Sequence, residues 1–487
     1  MQTIQSMLEA SARTYPHRVA LHLGSSQLTY TELWEHASNA AVQLQRQGIS
    51  KHTTVALLFQ NTLPCVVSFL ALAFLNTPLI PLGPETSTHE LDSIYTDTPF
   101  SVLLGDRSPA ARFDEAIARL QCRFVDVREL LAAEPIARTE LPQQPEPASK
   151  VFLYHYTSGS MGTPKAALHS QTNLINGGLI YQQTFQIKPD DRILVSVPLA
   201  HSFGLVGGLI AALVSGARLI MSERFVPRHL LELVAQETVT ILIAVPFVYD
   251  LLVRSKFPYP DQLASLRLCL SSGSALLPEI AKGFTEQFHK HIFQIYGSTE
   301  TGVIAAQWQR EEAWPAGAVG APLTGIYIRI VDEQGQDLPP NTEGTLLVKT
   351  PAMFMSYHRH PEATAQAFKD GWYVTGDIAQ LDRAGHLYLT GRKDTFVNVG
   401  GKKVNPVEVE QVLLAHPAVR DVLVSGRPAG GAGEHVHAAV VLSMDVSESE
   451  LLAFCREKLA FYKVPSRIEI VTALPKTSLG KTRRRAI

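Results

Sequence analysis

The stretch Tyr156 to Ser170 reads YTSGSMGTPKAALHS, a run of hydroxyls and glycines that ends in a lysine behind a proline. Between Thr157 and Lys165 the small residues, Gly159 and Gly162 among them, let backbone N–H groups converge on an anion. The hydroxyls of Thr157, Ser158 and Ser160 add donors, and Lys165 supplies a point charge suited to a polyphosphate. No Gly-Lys-Ser/Thr step closes the loop, so it is not a Walker A loop, and the Pro164–Lys165 step argues against a helix starting at the lysine. Taken alone, such a turn is more often a plain connection.

Other stretches give it company. YGSTETG (Tyr296–Gly302) follows the strand-like HIFQI, WYVTGD (Trp372–Asp377) ends a turn, GRKDTFVNVGGKKVNPVEVE spans Gly391–Glu410, and PKTSLGKTRRR spans Pro475–Arg485. With these motifs in this order, the sequence resembles the adenylate-forming superfamily of acyl-CoA and aryl-CoA synthetases, luciferases and peptide-synthetase adenylation domains. The likeness runs from LTYTEL at Leu28–Leu33 to Lys481.

The resemblance implies an enzyme, an AMP-forming acid–thiol ligase, that uses ATP with Mg²⁺ and has CoA or a carrier-protein phosphopantetheine as co-substrate. Tyr296 would offer a ring face to the adenine, with Gly297, Ser298 and the backbone around Gly273 and Ser274 nearby. Thr299 would donate to the α-phosphate, and Glu300 is a hard oxygen ligand for the metal. Asp377 would accept from the ribose hydroxyls, with Arg392 donating beside it. Lys481 matches the catalytic lysine that bridges carboxylate and α-phosphate, where a fixed cation meets charge built up in the transition state. Asp394 matches the hinge between the two half-reactions. Gly400, Gly401 and Lys402 fall on the expected pantetheine path.

The segment PLAHSFGLVGG (Pro198–Gly208) resembles the part that forms the acyl pocket, with His201 at its mouth. Amino-acid-activating relatives carry an aspartate at the position that falls on Phe203, counted back from LVSGA. A phenyl ring there would leave an α-ammonium desolvated and unpaired, so an α-amino acid substrate is excluded. Phe203, Leu205, Phe247 and Val303 are the expected walls, with room beside Gly207 and Gly208. An apolar acid, aryl or medium-chain fatty, is the expected substrate. The chain ends six residues after Lys481, with no carrier domain, which makes free CoA the expected acceptor and a stand-alone acid–carrier-protein ligase the alternative. A non-catalytic nucleotide-binding relative is a second alternative, opposed by the joint presence of Lys165, Glu300, Asp377, Arg392 and Lys481.

The elements that must position these residues are legible in outline. A chain of 487 residues exceeds one ordinary core. Helical patterns alternate with short apolar strands, as in LTYTELWEHASNAAVQLQRQGI leading to TVALLF, which predicts α/β layers with largely parallel sheets. Residues 326–390 turn to short β-like runs, an antiparallel or barrel-like part. The expected organisation is a large N-terminal domain of layered α/β subdomains over 1–393 and a small mobile α+β domain over 394–487, with a Pro-rich surface linker at Thr139–Lys150.

Lys+Arg 43 against Asp+Glu 45 leaves no electrostatic footprint for nucleic acid or an anionic membrane. The apolar run Cys65–Leu75 is too short to span a bilayer and reads as a buried helix. Ile4, Met7 and Leu8 predict an amphipathic N-terminal helix with no signal-peptide pattern. Four scattered cysteines without ligand spacing fit reduced thiols in a cytoplasmic protein.

Met161 departs from the family pattern, which usually has Thr or Ser there, and Ala166 stands where Gly is common. A lost neutral hydrogen bond is worth about 0.5–1.5 kcal/mol, so Met161→Thr is expected to lower the KM for ATP or leave it little changed. A large rise, measured at saturating acid, would assign the methionine a packing role.

Overall fold

The computed structural model describes residues 3–131, 148–157, 165–222, 226–255, 260–308, 314–392, 395–399, 402–428 and 434–474. Packing divides the chain into two compact units, one of residues 1–311, 320–327 and 349–366, the other of 312–319, 328–348 and 367–487.

The first unit holds two sheets. In one, six parallel strands run in the order Ile292–Ser298, Leu268–Ser271, Ile241–Ala244, Arg192–Val195, Arg218–Met221, Val19–Leu23, with Gly302–Ala306 and Ser26–Thr29 antiparallel at the two sides. Segments such as ILIA and LCL are apolar and buried, which is the composition a sheet covered on both faces requires. The other sheet has the order Ser356–Tyr357, Lys165–Ser170, Val151–Thr157, Leu79–Leu82, Val55–Leu58, Val102–Gly105, Arg123–Asp126. Its last five strands are parallel, and Lys165–Ser170 is antiparallel to both of its neighbours.

The apolar run becomes the helix Leu63–Phe74, with Pro64 in its first turn and its residues from Cys65 to Phe74 buried. The N-terminal helix Ile4–Thr14 buries Ile4, Met7 and Leu8 and is capped reciprocally by Thr3 and Ser6. Gln171 fastens it, accepting from Ile4 N at 2.9 Å while donating to Ala73 O at 2.8 Å. All four cysteines are buried and free. Among the described residues no helix is long and apolar enough to cross a membrane. The expected linker lies outside the described residues except for its last three positions.

In the second unit the part expected to be antiparallel or barrel-like is an antiparallel ladder, with Trp372–Leu381 between Gly344–Lys349 and Leu387–Arg392. C-terminal to it, the sheet Val419–Pro428, Glu434–Leu442, Arg467–Ile470 packs with helices Pro406–Leu414 and Glu448–Lys458 around Val409, Leu413, Val424, Val440, Leu451 and Ile468. This is the α+β arrangement read from the sequence.

Candidate active site

Thr157 and Lys165 face each other at the open end of an antiparallel hairpin, Thr157 Oγ1 donating to Lys165 O at 3.4 Å. The residues between them, Ser158, Gly159, Ser160, Met161 and Gly162 included, lie outside the described residues. Lys165 opens a strand, not a helix. That strand runs without a linker into the helix Gln171–Phe185, capped by Ser170, whose Oγ accepts from Asn173 N while Asn173 Oδ1 accepts from Ser170 N.

The second cluster sits at the carboxyl ends of four neighbouring parallel strands, where ligands bind in open α/β sheets. His201 follows Arg192–Val195, Phe247 follows Ile241–Ala244, Gly273 and Ser274 follow Leu268–Ser271, and Tyr296 lies late in Ile292–Ser298. Gly273 is exposed with φ +93°, a conformation that favours glycine. Thr299 and Glu300 occupy the tight turn into Gly302–Ala306. A Cβ on Gly297 would lie 2.3 Å from Gly302 O, so only glycine permits that crossing. Ser298 Oγ pairs with Thr301 Oγ1 at 3.0 Å and accepts from Thr301 N, so its observed partner is the turn itself.

Tyr357, which nothing in the sequence singles out, joins the two clusters. Its hydroxyl donates to Glu300 Oε1 at 2.9 Å, and Lys165 Nζ lies 5.6 Å from its ring centroid. One carboxylate oxygen is thereby fixed by a phenol. A single carboxylate is the ligand set expected when nucleotide phosphates supply the remaining oxygens to Mg²⁺, so Glu300 fits the metal. Among the described residues no cluster of three His, Cys, Asp or Glu could hold a metal by itself.

Glu85 is a second unforeseen partner, its Oε1 3.0 Å from His201 Nε2. The loop before His201 is clamped by Asn61, which accepts from Leu199 N and donates to Val197 O. Phe203–Ile210 is a π-helix, an uncommon form that recurs at functional sites. Two expectations for the acyl pocket need correction. The room beside Gly207 and Gly208 is taken, because a Cβ there would meet the Tyr181 ring at 2.9 Å and Val195 Cγ2 at 2.5 Å. Leu205 and Val303 are core residues at 0% and 2% exposure, while Phe247 is 45% exposed. A water-sized cavity of about 20 Å³ is lined by His155, His169, Asn173, Ser202, Val206 and Thr299, with Gly177, Gly302, Leu174 and Ala352.

His155 and His169 sit on adjacent strands of the phosphate hairpin and are buried. Burial pushes their pKa down to about 3 and about 4 from 6.5, so both are neutral at physiological pH. A histidine in each apolar strand, VFLYHYT and KAALHS, was the signal available in the sequence.

In the second unit Asp377 and Arg392 are register partners, Arg392 Nη1 3.4 Å from Asp377 Oδ1, with Asp377 N donating to Thr375 Oγ1. The spacing of TGD and GR thus resolves into one cross-strand pair. Lys402, expected on the pantetheine path, is exposed, with Nζ 4.5 Å from the Tyr462 ring centroid. Asp394, Gly400, Gly401 and Lys481 lie outside the described residues.

A hairpin lysine that shares a tyrosine with a glutamate, set beside the carboxyl ends of a parallel sheet, is an arrangement in which an α/β enzyme can hold a nucleotide. Comparison with known proteins narrows this. The AMP-binding enzyme pattern matches residues 8–358, and the AMP-binding enzyme C-terminal domain matches 408–481. An oxalate–CoA ligase of Arabidopsis thaliana is 30% identical over 100% of this chain and 98% of its own length. A feruloyl-CoA synthase of an Amycolatopsis species is 32% identical over 96% and 95%. The o-succinylbenzoate CoA synthetase of Bacillus subtilis, solved with ATP and magnesium, superposes with TM-score 0.87 at 30% identity, covering 99% of this chain and 98% of that one. The chain belongs to the AMP-binding enzyme family, the adenylate-forming ligases. It is an AMP-forming acid–CoA ligase that takes a small carboxylic acid, ATP with Mg²⁺, and CoA.

Two predictions follow from this geometry. Tyr357→Phe keeps the ring under Lys165 but frees Glu300, so the Mg²⁺ concentration for half-maximal pyrophosphate exchange should rise about 10-fold. An unchanged Mg²⁺ dependence would remove the tyrosine from that role. The buried histidines set a pH window for stability. The unfolded chain takes up protons below about pH 6.5 while the folded one does not until pH 3–4, so stability is full above 6.5 and falls with pH below it. Urea titrations should show a loss of about 2 kcal/mol per histidine between pH 7.5 and 5, and flat stability over that range would contradict their neutrality.

Proposed function

We propose that this ligase activates an aryl carboxylic acid and transfers it to CoA in the cytoplasm. The observation that carries the chemistry is the Lys165–Tyr357–Glu300 chain, which sets a phosphate-seeking cation and a metal ligand around one ring. The aryl class is supported by the names of relatives, a feruloyl-CoA synthase, an indoleacetate–CoA ligase and 2-succinylbenzoate–CoA ligases. Four buried, free cysteines suit a reducing compartment.

In the first half-reaction a carboxylate oxygen attacks the α-phosphorus of ATP, forming the acyl-adenylate and expelling pyrophosphate. Thr157, Ser158, Ser160 and Lys165, with the backbone at Gly159 and Gly162, hold the leaving phosphates. Thr299 donates to the α-phosphate. Tyr296, Gly297, Ser298, Gly273 and Ser274 flank the base, and Asp377 and Arg392 hold the ribose. Glu300, oriented by Tyr357, holds Mg²⁺, which when bound neutralises phosphate charge. Lys481 stabilises the charge gathered between carboxylate and phosphate, an interaction strongest in the transition state. His201, oriented by Glu85, stands at the mouth of the acyl site with Phe203. In the second half-reaction the CoA thiolate attacks the acyl carbon and AMP leaves, with Asp394 as the hinge that begins the mobile part at 394 and Gly400, Gly401 and Lys402 along the thiol's approach.

A pyrophosphate-exchange panel over aryl, fatty, dicarboxylic and amino acids tests this reading. Exchange is expected with aryl acids, AMP and pyrophosphate are the expected products, and Lys481→Ala should cost about 10²–10³-fold in the adenylation rate. ADP as product would overturn adenylation, and exchange confined to fatty acids would overturn the aryl assignment.

A further inference from the structure

The residue that precedes Thr157 is held from outside the phosphate hairpin. Tyr156 Oη donates to Asp97 Oδ2 at 2.6 Å and lies 2.7 Å from Thr98 Oγ1. Burial first, and then the neighbouring carboxylate, push the phenol's pKa up, so it stays a donor at physiological pH. The same aspartate meets the segment that carries Tyr357. Arg359 Nη1 donates to Asp97 O at 2.9 Å, and His360 Nε2 lies 3.8 Å from Asp97 Oδ1.

In the sheet, the strand opened by Lys165 runs between Val151–Thr157 and Ser356–Tyr357. Asp97 thus reaches both flanks of that strand, at the residue before Thr157 on one side and just past Tyr357 on the other. Nothing local calls for a carboxylate at this place. Asp97 is the last residue of the helix Thr88–Asp97, where the helix dipole disfavours negative charge. Its side chain is 20% exposed, and a carboxylate so far removed from water is costly unless donors surround it. Arg359 adopts φ +53°, a left-handed conformation that a non-glycine residue rarely takes and that persists where the surroundings hold it. Its guanidinium contact with Asp97 O ties that turn to the end of the helix.

We propose that Asp97 is a positioning residue of the adenylation step, a brace that keeps Thr157 and Lys165 in register with Tyr357 and Glu300 while the β- and γ-phosphates of ATP are held. It acts through Tyr156 on one flank and Arg359 and His360 on the other, and it touches no reacting group itself. A displacement of about 1 Å at such contacts is enough to weaken binding and slow transfer. The proposal rests on the reading that Thr157 and Lys165 hold those phosphates.

The test measures the Kd of the full-length enzyme for ATP with Mg²⁺ and for AMP, which lacks the β- and γ-phosphates, by titration calorimetry. Tyr156→Phe removes one hydroxyl and keeps the ring. It should weaken ATP by at least ~5-fold and leave AMP within ~2-fold. Asp97→Ala should weaken ATP as much or more, and the double variant should be no worse than Asp97→Ala, because the two residues form one link. Asp97→Asn, which keeps an acceptor for the phenol, should retain most of the wild-type affinity. A tie that serves stability alone would lower the melting temperature of Tyr156→Phe and leave its affinity for ATP unchanged, and that result overturns the proposal even where Asp97→Ala does not fold. Equal weakening of ATP and AMP overturns it as well. Lys165→Ala separates the two claims. If that variant binds ATP as the wild type does, the phosphate reading fails and the brace with it, whereas a loss of ATP affinity in Lys165→Ala but not in Tyr156→Phe defeats the brace alone.

Discussion

The site depends on a two-residue strand. Ser356–Tyr357 adds to the edge of the phosphate hairpin, with Met355 N donating to Leu168 O and His358 N to Ala166 O, while Phe354 N donates to Glu300 O at 2.7 Å. Three segments remote in sequence are stitched by backbone hydrogen bonds, whose geometry side chains cannot easily alter. Each bond contributes only about 1 kcal/mol net, but together they leave Tyr357 one place to stand, between Lys165 and Glu300. A cation and a carboxylate that would attract each other directly instead meet one tyrosine, Lys165 at its ring and Glu300 at its hydroxyl. Both therefore stay available to a polyphosphate and its metal.

The same economy of backbone governs the turn at 297–302. The bulge between Tyr296 and Gly297 and the close approach of Gly302 O demand a glycine, and Ser298 then closes on Thr301. Thr299 and Glu300 are left at the apex of a turn whose interior is satisfied, so their side chains are not recruited to hold it. Positioning on a rigid hairpin at the end of a parallel sheet is more precise than positioning on a free loop. Clamping of the His201 loop by Asn61 and Glu85, from beyond two strands of the other sheet, extends that rigidity across the first unit.

What the sequence made legible was local. The loop composition, the Gly-rich turn and the buried helix over Leu63–Phe74 follow from spacing and residue type within a few positions. Tyr357 and Glu85 were invisible because their partners come from other segments, and nothing in SYHRH or GPETS points to a glutamate or histidine far away. Gly207 and Gly208 misled for a related reason. A glycine in an apolar helix signals close approach, but whether a ligand or a neighbouring element fills the gap is decided by tertiary packing, and here Tyr181 and Val195 fill it. Even the histidines of the two hairpin strands were visible as letters only; their neutrality comes from complete burial.

That neutrality divides the site into two kinds of environment. Lys165 and Glu300 are partly exposed, where water tempers the cost of an unpaired charge until a charged ligand arrives. Behind Thr299 the polar groups are buried imidazoles, an amide and a hydroxyl, which are cheap to desolvate only because none carries charge. A buried ammonium or guanidinium there would cost more to desolvate than these neutral groups do. Among the described lining residues none is charged, so the charge at this end of the site stays with Lys165 and Glu300, where water reaches it.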